Sequence, residues 1–316
     1  MTNTKPRPQT STEPMLPGHK IPMKGCLLLL SAWLSINHTT AQPYVDVLNL
    51  KAQLFPSNHT NGDLSDSLST RNFEASFLLP LVQKNKDVFL FGGNFSSLEF
   101  DYSGSPSQEK ILYGTLLAVG YEKQWKNPAW KTLFMALPRI NSDFEANTTS
   151  DFQMGGFVLS TWEKSDSLKF HFGLYYNREF FGNYFMPIVG IDWKINSRFH
   201  LFGDLPSNIN LEYKLSRSFY LGFLYQSGVA SYRLENGNYV REGDKFWGYD
   251  QFKAYFHLYL NKHIVWFVEG GVTYGRLYKI YTADDVPVAD NPVYGQNLDG
   301  AVYATGLAYR FRLDEK

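Results

Sequence analysis

From Tyr44 onward the chain is a series of period-2 stretches of 8 to 15 residues, separated by clusters of Gly, Asn, Asp, Ser and Pro. In ILYGTLLAVGYEKQW, Ile111, Tyr113, Thr115, Leu117, Val119 and Tyr121 alternate with Leu112, Gly114, Leu116, Ala118, Gly120 and Glu122. LKFHFGLYYNRE, YDQFKAYFHLYLN, IVWFVEGGVTYG and the closing GAVYATGLAYRFRL repeat the pattern. Each predicts a β-strand with one face large and apolar and the other small or charged. A soluble sandwich would put Lys, Glu, Thr and Ser on its wet face. Here that face holds Gly and Ala beside charge, which suits the inside of a curved, closed sheet. Aromatics gather at the ends of the stretches (Tyr113 with Tyr121 and Trp125, Phe180 with Phe181 and Tyr184, Trp266 with Tyr274 and Tyr278), as the interfacial girdles of a membrane barrel require.

The connections sharpen this reading. Those near 83–86, 125–129, 164–167, 196–198, 216–218 and 261–263 are short; those near 56–71, 101–109, 141–151, 235–248 and 281–298 are long and polar. Every second connection is short, the pattern of tight periplasmic turns and longer external loops. The fold predicted is all-β: an antiparallel transmembrane up-and-down β-barrel of about 14 strands. Pro206 interrupts the weakest stretch, 198–217, and keeps 12 strands as the alternative.

Aromatics at 17%, charged residues at 19% and a mean hydropathy of −0.30 fit alternating strands and not apolar helices. The N-terminal region supplies an address: Met23-Lys24, then the apolar run Gly25–Ile36, then NHTTAQ, with Thr39 and Ala41 small enough for the −3 and −1 positions. This predicts a secretory signal peptide cleaved near Ala41/Gln42, with 1–41 as extension and signal and 42–316 as the barrel, bound for a bacterial outer membrane. The single cysteine, Cys26, precedes the apolar run, so the mature chain has no disulfide and no thiolate chemistry. Removing residues 1–41 takes four of 30 Lys+Arg and one of 30 Asp+Glu, leaving 26 against 29. Without a basic bias, nucleic acid is not an expected partner. The partners expected are outer-membrane lipid, the barrel-insertion machinery and a small solute.

Candidate chemistry is sparse. There is no H-E-x-x-H, no G-x-S-x-G and no metal-ligand spacing, so no catalytic residue, metal or cofactor is assigned. GDLSD (62–66) and TADDVPVADN (282–291) lack the spacing of a calcium loop and read as solvated loops. What remains is the polar strand face. By alternation Lys51, Glu74, Glu122, His171, Asp192, Glu212, Lys214, Lys253, His257, Glu269, Arg310 and Arg312 point inward. On the lipid face each charge would cost roughly 2–4 kcal/mol near the midplane.

PIVGIDWKIN (Pro187–Asn196), LFGDLPSNINLEYKLS and the closing YRFRL resemble an uncharacterised family of Gram-negative outer-membrane β-barrel proteins, known only as a domain of unknown function. The similarity runs from about Tyr44 to Leu313. It implies a location and a fold and no activity. The chain departs from the usual insertion signal in that Phe311 is followed by further residues instead of ending the strand. The leading functional expectation is a narrow pore or a small-solute/lipid transport barrel and not an enzyme. The alternatives are a closed structural or adhesive barrel acting through its loops and, behind both, an outer-membrane hydrolase using His171 or His257.

Overall fold

The computed structural model describes residues 43–313, apart from 60–66, 104–107, 146–150, 236, 246–247 and 289–296. The signal peptide, its cleavage site, Cys26, GDLSD and the end of TADDVPVADN lie outside the described residues. The strands are β1 (Tyr44–His59), β2 (Ser67–Val82), β3 (Val88–Tyr102), β4 (Gln108–Gln124), β5 (Trp130–Ser142), β6 (Phe152–Ser165), β7 (Leu168–Glu179), β8 (Gly182–Lys194) and β9 (Phe199–Leu205). They continue as β10 (Asn208–Lys214), β11 (Phe219–Gly228), β12 (Ala230–Arg233), β13 (Tyr239–Glu242), β14 (Tyr249–Tyr259), β15 (Ile264–Tyr274), β16 (Tyr278–Tyr281) and β17 (Ala301–Arg312). Fourteen of them form a closed antiparallel barrel. β1 to β11 pair in chain order, β11 pairs with β14, β14 with β15, β15 with β17, and β17 closes on β1 from Tyr44↔Arg312 to Leu54↔Tyr303. The stretch 198–217 supplies both β9 and β10, so the count is 14 and not 12.

The exterior is what alternation predicts. Leu48, Leu50, Phe77, Phe91, Val119, Phe134, Leu174, Phe223, Trp266 and Leu307 are all exposed. A continuous apolar surface of this extent needs lipid as its solvent. At the short-turn end a belt of rings closes the band: Trp162 stacks between Trp130 (6.0 Å) and Phe170 (5.9 Å), Phe199 meets Tyr213 (4.8 Å), and Tyr309 meets Phe311 (5.4 Å). Two predicted girdle members are corrected. Tyr184 and Tyr278 are buried inside, Tyr184 because it falls on the inward phase of β8, Tyr278 because its segment leaves the wall.

The short turns are tied to the wall by local polar bonds. Asp87 accepts from Gln124 N (2.9 Å), Lys123 Nζ (2.8 Å) and Tyr121 Oη (2.5 Å), pinning the β2–β3 turn to β4. These bonds, Lys123's first, hold its carboxyl well below the usual carboxylate range.

The long-loop end departs most from expectation. Residues 235–248 and 281–298 read as solvent loops, yet they contain β13 and the end of β16, which pair with each other while β13 pairs with β12. The resulting three-stranded sheet folds into the mouth. Tyr232, Val240, Tyr278 and Ile280 pack on Leu68, Leu98, Phe100 and Leu112 from the inner faces of β2, β3 and β4. Ser231 Oγ donates to Glu179 Oε2 (2.6 Å), and Asn141 Nδ2 donates to Ser231 O (3.2 Å), so β12 is strapped to the opposite wall. The barrel is therefore capped by its own chain.

Asp285 clamps this cap. It accepts from Tyr239 Oη and Lys245 Nζ (2.8 Å), with Arg241 at 3.7 Å. Burial pushes its carboxyl up, but the Lys245 and Tyr239 hydrogen bonds and the two cations outweigh it and hold it below its ordinary value. A depressed folded value means the clamp is in force above the unfolded pKa of about 3.9 and is lost as pH falls through the lower folded value. Hydrogen-exchange protection of 239–245 should therefore exceed that of Asp285→Asn by a constant amount from pH 7 to about 4 and converge with it below. A difference that grows on acidification would contradict this sign.

Candidate ligand cavity inside the barrel

The interior is not uniform. Around the short-turn end it is a belt of ion pairs. Arg310 Nε and Nη2 donate to Asp46 (2.5 and 2.8 Å), its guanidinium lies 3.5 Å over Tyr44, and Nη1 donates to His257 Nδ1 (3.1 Å). Arg312 bonds Glu212 (2.6 Å) and lies 4.0 Å over Tyr220, while Lys214 sits 5.9 Å over the same ring. Glu269 is held between Lys253 (2.6 Å) and Lys51 (3.0 Å). Glu74 accepts from Asn72 (2.7 Å). On the far side Glu122 pairs with Lys131 (3.4 Å), and Asp192 accepts from His200 Nε2 (2.5 Å) with Lys169 at 3.7 Å. His171 Nδ1 donates to Asp204 (2.6 Å).

All eleven candidate residues and Lys51 thus lie on the inner face, and the partners chosen were not foreseeable from the strand pattern. The two arginines take Asp46 and Glu212, while Glu269 is taken by the two lysines and Glu74 by Asn72. Asp46 escapes a reading by alternation because β1 carries a bulge between Asp46 and Leu48, which resets the phase so that both Asp46 and Asn49 point inward. Lys131, Arg139, Lys169, Glu179 and His200 follow the ordinary phase of their strands and were legible by extending the same count. Ser231, Glu242 and Arg276 were not, because their segments leave the wall. Arg276 lies 3.7 Å over Phe55 and bonds Thr70, fastening the start of the β15–β17 connection to β1 and β2.

Above the belt, on β4 to β8, the inner face turns apolar. Leu116, Leu137, Phe157, Leu159, Met186 and Ile188 surround a cavity of about 400 Å³. The alternation on β5, β6 and β8 places large side chains on both faces, contrary to the expectation of small and charged groups inside. A polar edge completes the cavity: Asp204, Ser207, Asn208 and Ser227. Asp204 is oriented by His171, and this contact depends on Gly190, where any Cβ would strike both Asp204 Oδ1 and His171 Nδ1. Two smaller polar cavities, of about 250 and 230 Å³, continue from it: the first shares Ser227, Gly228 and Val229 with the apolar cavity, the second shares Glu74 with the first. Among the described residues no cluster of three or more His, Cys, Asp or Glu is placed to hold a metal ion.

A family model described as a domain of unknown function, DUF6268, matches residues 50–304. No curated protein matches the chain. Solved barrels do. A ΔS2S3 mutant of the TodX monoaromatic hydrocarbon channel is 10% identical over 84% of this chain and 89% of its own, with a TM-score of 0.41. The NanC porin is 10% identical over 83% and 98%, at 0.37. Outer membrane phospholipase A from Escherichia coli is 11% identical over 87% and 94%, at 0.35. All three TM-scores lie under 0.5, too low to carry a functional comparison.

Proposed function

The chain belongs to the DUF6268 family, and we propose that it is an outer-membrane barrel that takes a small, largely apolar molecule into its interior, and not a water-filled pore. The observation that carries this is the apolar cavity. Side chains facing a barrel lumen need not be Leu, Phe, Met and Ile unless they fill a core or receive an apolar guest. Its volume falls in the range of about 300–1,000 Å³ usual for small-molecule sites. Asp204 at the polar edge accepts hydrogen bonds and carries negative charge, so the guest would bear a neutral or cationic donor (an amine, phenol or alcohol) in preference to a carboxylate. The capping sheet and the belt of ion pairs support a resting state closed at both ends. Export through a signal peptide cleaved before Gln42 and insertion by the barrel machinery belong to the same reading, and N-terminal sequencing of the mature protein checks the first.

The neutral arylamine 1-aminoanthracene tests the cavity. Its fluorescence should rise saturably with purified barrel, relative to detergent alone, and Leu159→Trp, which fills the cavity, should weaken binding at least tenfold while leaving the heat-dependent gel shift of a folded barrel intact. The matching anthracene carboxylate should bind more weakly and gain affinity in Asp204→Asn. No saturable signal, or equal binding by Leu159→Trp, would sink the reading.

A further inference from the structure

The wall beside this cavity is incomplete. β9 and β10 have only seven residues each, and their two-residue tip at 206–207 lies level with Ile188–Val189 of β8, the register running Val189↔Leu205. Gly203 makes the tip this tight: its φ is +142°, and a Cβ there would meet the Asn208 carbonyl oxygen. Above the tip, among the described residues, no strand pairs with Gly182–Ile188 on the side away from β7. That open edge runs for about 20 Å along the strand at 3.3 Å per residue. Pro187, which has no N–H to give a ladder, sits in it.

The gap has a frame on every side. β8 is one post, with Met186 and Ile188 facing in. Ser227 and Gly228 of β11 form the other. The tip, Pro206 and Ser207, is the sill, joined to β11 by the Ser227 N–Ser207 O bond (2.8 Å). The lintel is the segment 229–231, which crosses to the β7–β8 turn, where Phe180 N donates to Ser231 Oγ (3.2 Å). Posts, sill and the Val229 end of the lintel all line the apolar cavity, so the cavity faces this gap.

The gap lies within the lipid-facing band. Exposed Arg178 and Asn183, paired across β7 and β8, mark where that band ends. Below them the outward residues flanking the gap are Phe185 (61% exposed), Val189 (57%) and, beyond the sill, Phe223 (68%). Unpaired backbone at membrane depth is tolerated where it lines a cavity. An apolar molecule concentrates in the bilayer, and the aqueous mouth is occupied by the capping sheet. We infer that the guest passes laterally between the outer leaflet and the cavity, through the window framed by β8, the β9–β10 tip and the 229–231 segment. This rests on the cavity reading above.

The test uses the full mature barrel in phosphatidylcholine vesicles with 1-aminoanthracene. Ser207→Trp puts an indole on the sill. Because Ser207 also edges the cavity, the reading is taken from the rates: association and dissociation should both slow at least tenfold, whereas Leu159→Trp, which fills the cavity, should release the probe faster. Lengthening β9 and β10 by two residues each, to pair with Pro187 and Met186, should slow association in the same way. Both variants are checked for the folded gel shift. The indole added by Ser207→Trp, read as the difference in emission from the wild type, should also be quenched by dibrominated phosphatidylcholine. An unchanged association rate in both variants, or an added indole that is not quenched, overturns the lateral route and leaves the cavity standing. Failure of the wild type to bind overturns the cavity and the route with it.

Discussion

Deleting Ala230–Glu242, so that Val229 joins Gly243, is expected to convert a barrel that is electrically quiet in planar bilayers into one with discrete conductance steps. The segment removed carries Tyr232 and Val240, which fill the mouth against Leu68, Leu98 and Phe100, and it strips β16 of its strand partner. It also removes Ser231, the residue that straps the crossing chain to Glu179, Gln153 and Phe180. Fourteen strands enclose more than the eight whose lumen side chains alone can fill, so what keeps water out is the cap and the belt. The deletion opens only the first. Open events at least ten times more frequent than in the wild type, in protein that still shows the folded gel shift, are the expected outcome. A deletion barrel that stays silent would show that the ion-pair belt seals the short-turn end unaided.

The second large effect concerns that belt. Arg310→Ala should lower unfolding stability by about 3–5 kcal/mol, the range for breaking a buried pair by removing one partner. Arg310 is nearly fully buried, forked onto both oxygens of Asp46, and stacked on Tyr44. Its loss leaves a carboxylate facing the interior with Asn49 as its neighbour, and it unties β17 from β1 at the seam where the barrel closes. Arg310→Lys should recover little, because an ammonium cannot reproduce the fork or the ring contact. The urea midpoint of the gel-shift transition reads both. A loss below about 1 kcal/mol in Arg310→Ala would mean the belt behaves as a solvated surface network.

How much of this was legible before folding varies with the kind of evidence. Strand alternation in Ile111–Glu122, Leu168–Glu179 and Ala301–Arg312 carries over unchanged, because on a pleated strand successive side chains must take opposite faces whatever the strand pairs with. The inward placement of His171, Glu212 and Glu269 follows from the same geometry. Asp46 fails the count through one inserted residue in β1. Tyr278 fails it because a loop segment has no wall phase to inherit. Leu137, Phe157 and Leu159 were hidden differently: β5 and β6 are apolar on both faces, so periodicity there has no contrast from which to tell lumen from lipid.

By itself, then, the sequence determined an all-β, lipid-facing barrel with alternating strand faces, its short turns and the set of charges it must keep inside, since these follow from local geometry and from the cost of charge in hydrocarbon. Only the tertiary structure decided which charges meet, that segments within 229–248 and 275–300 turn inward as a cap, and that a short β9–β10 hairpin leaves a framed gap beside an apolar cavity. Those outcomes depend on contacts between segments far apart in the chain, 264 residues for Arg310 with Asp46 and 206 for Arg276 with Thr70. Closing the ring is what brings such segments together, and no local pattern encodes which of several compatible partners each side chain then meets.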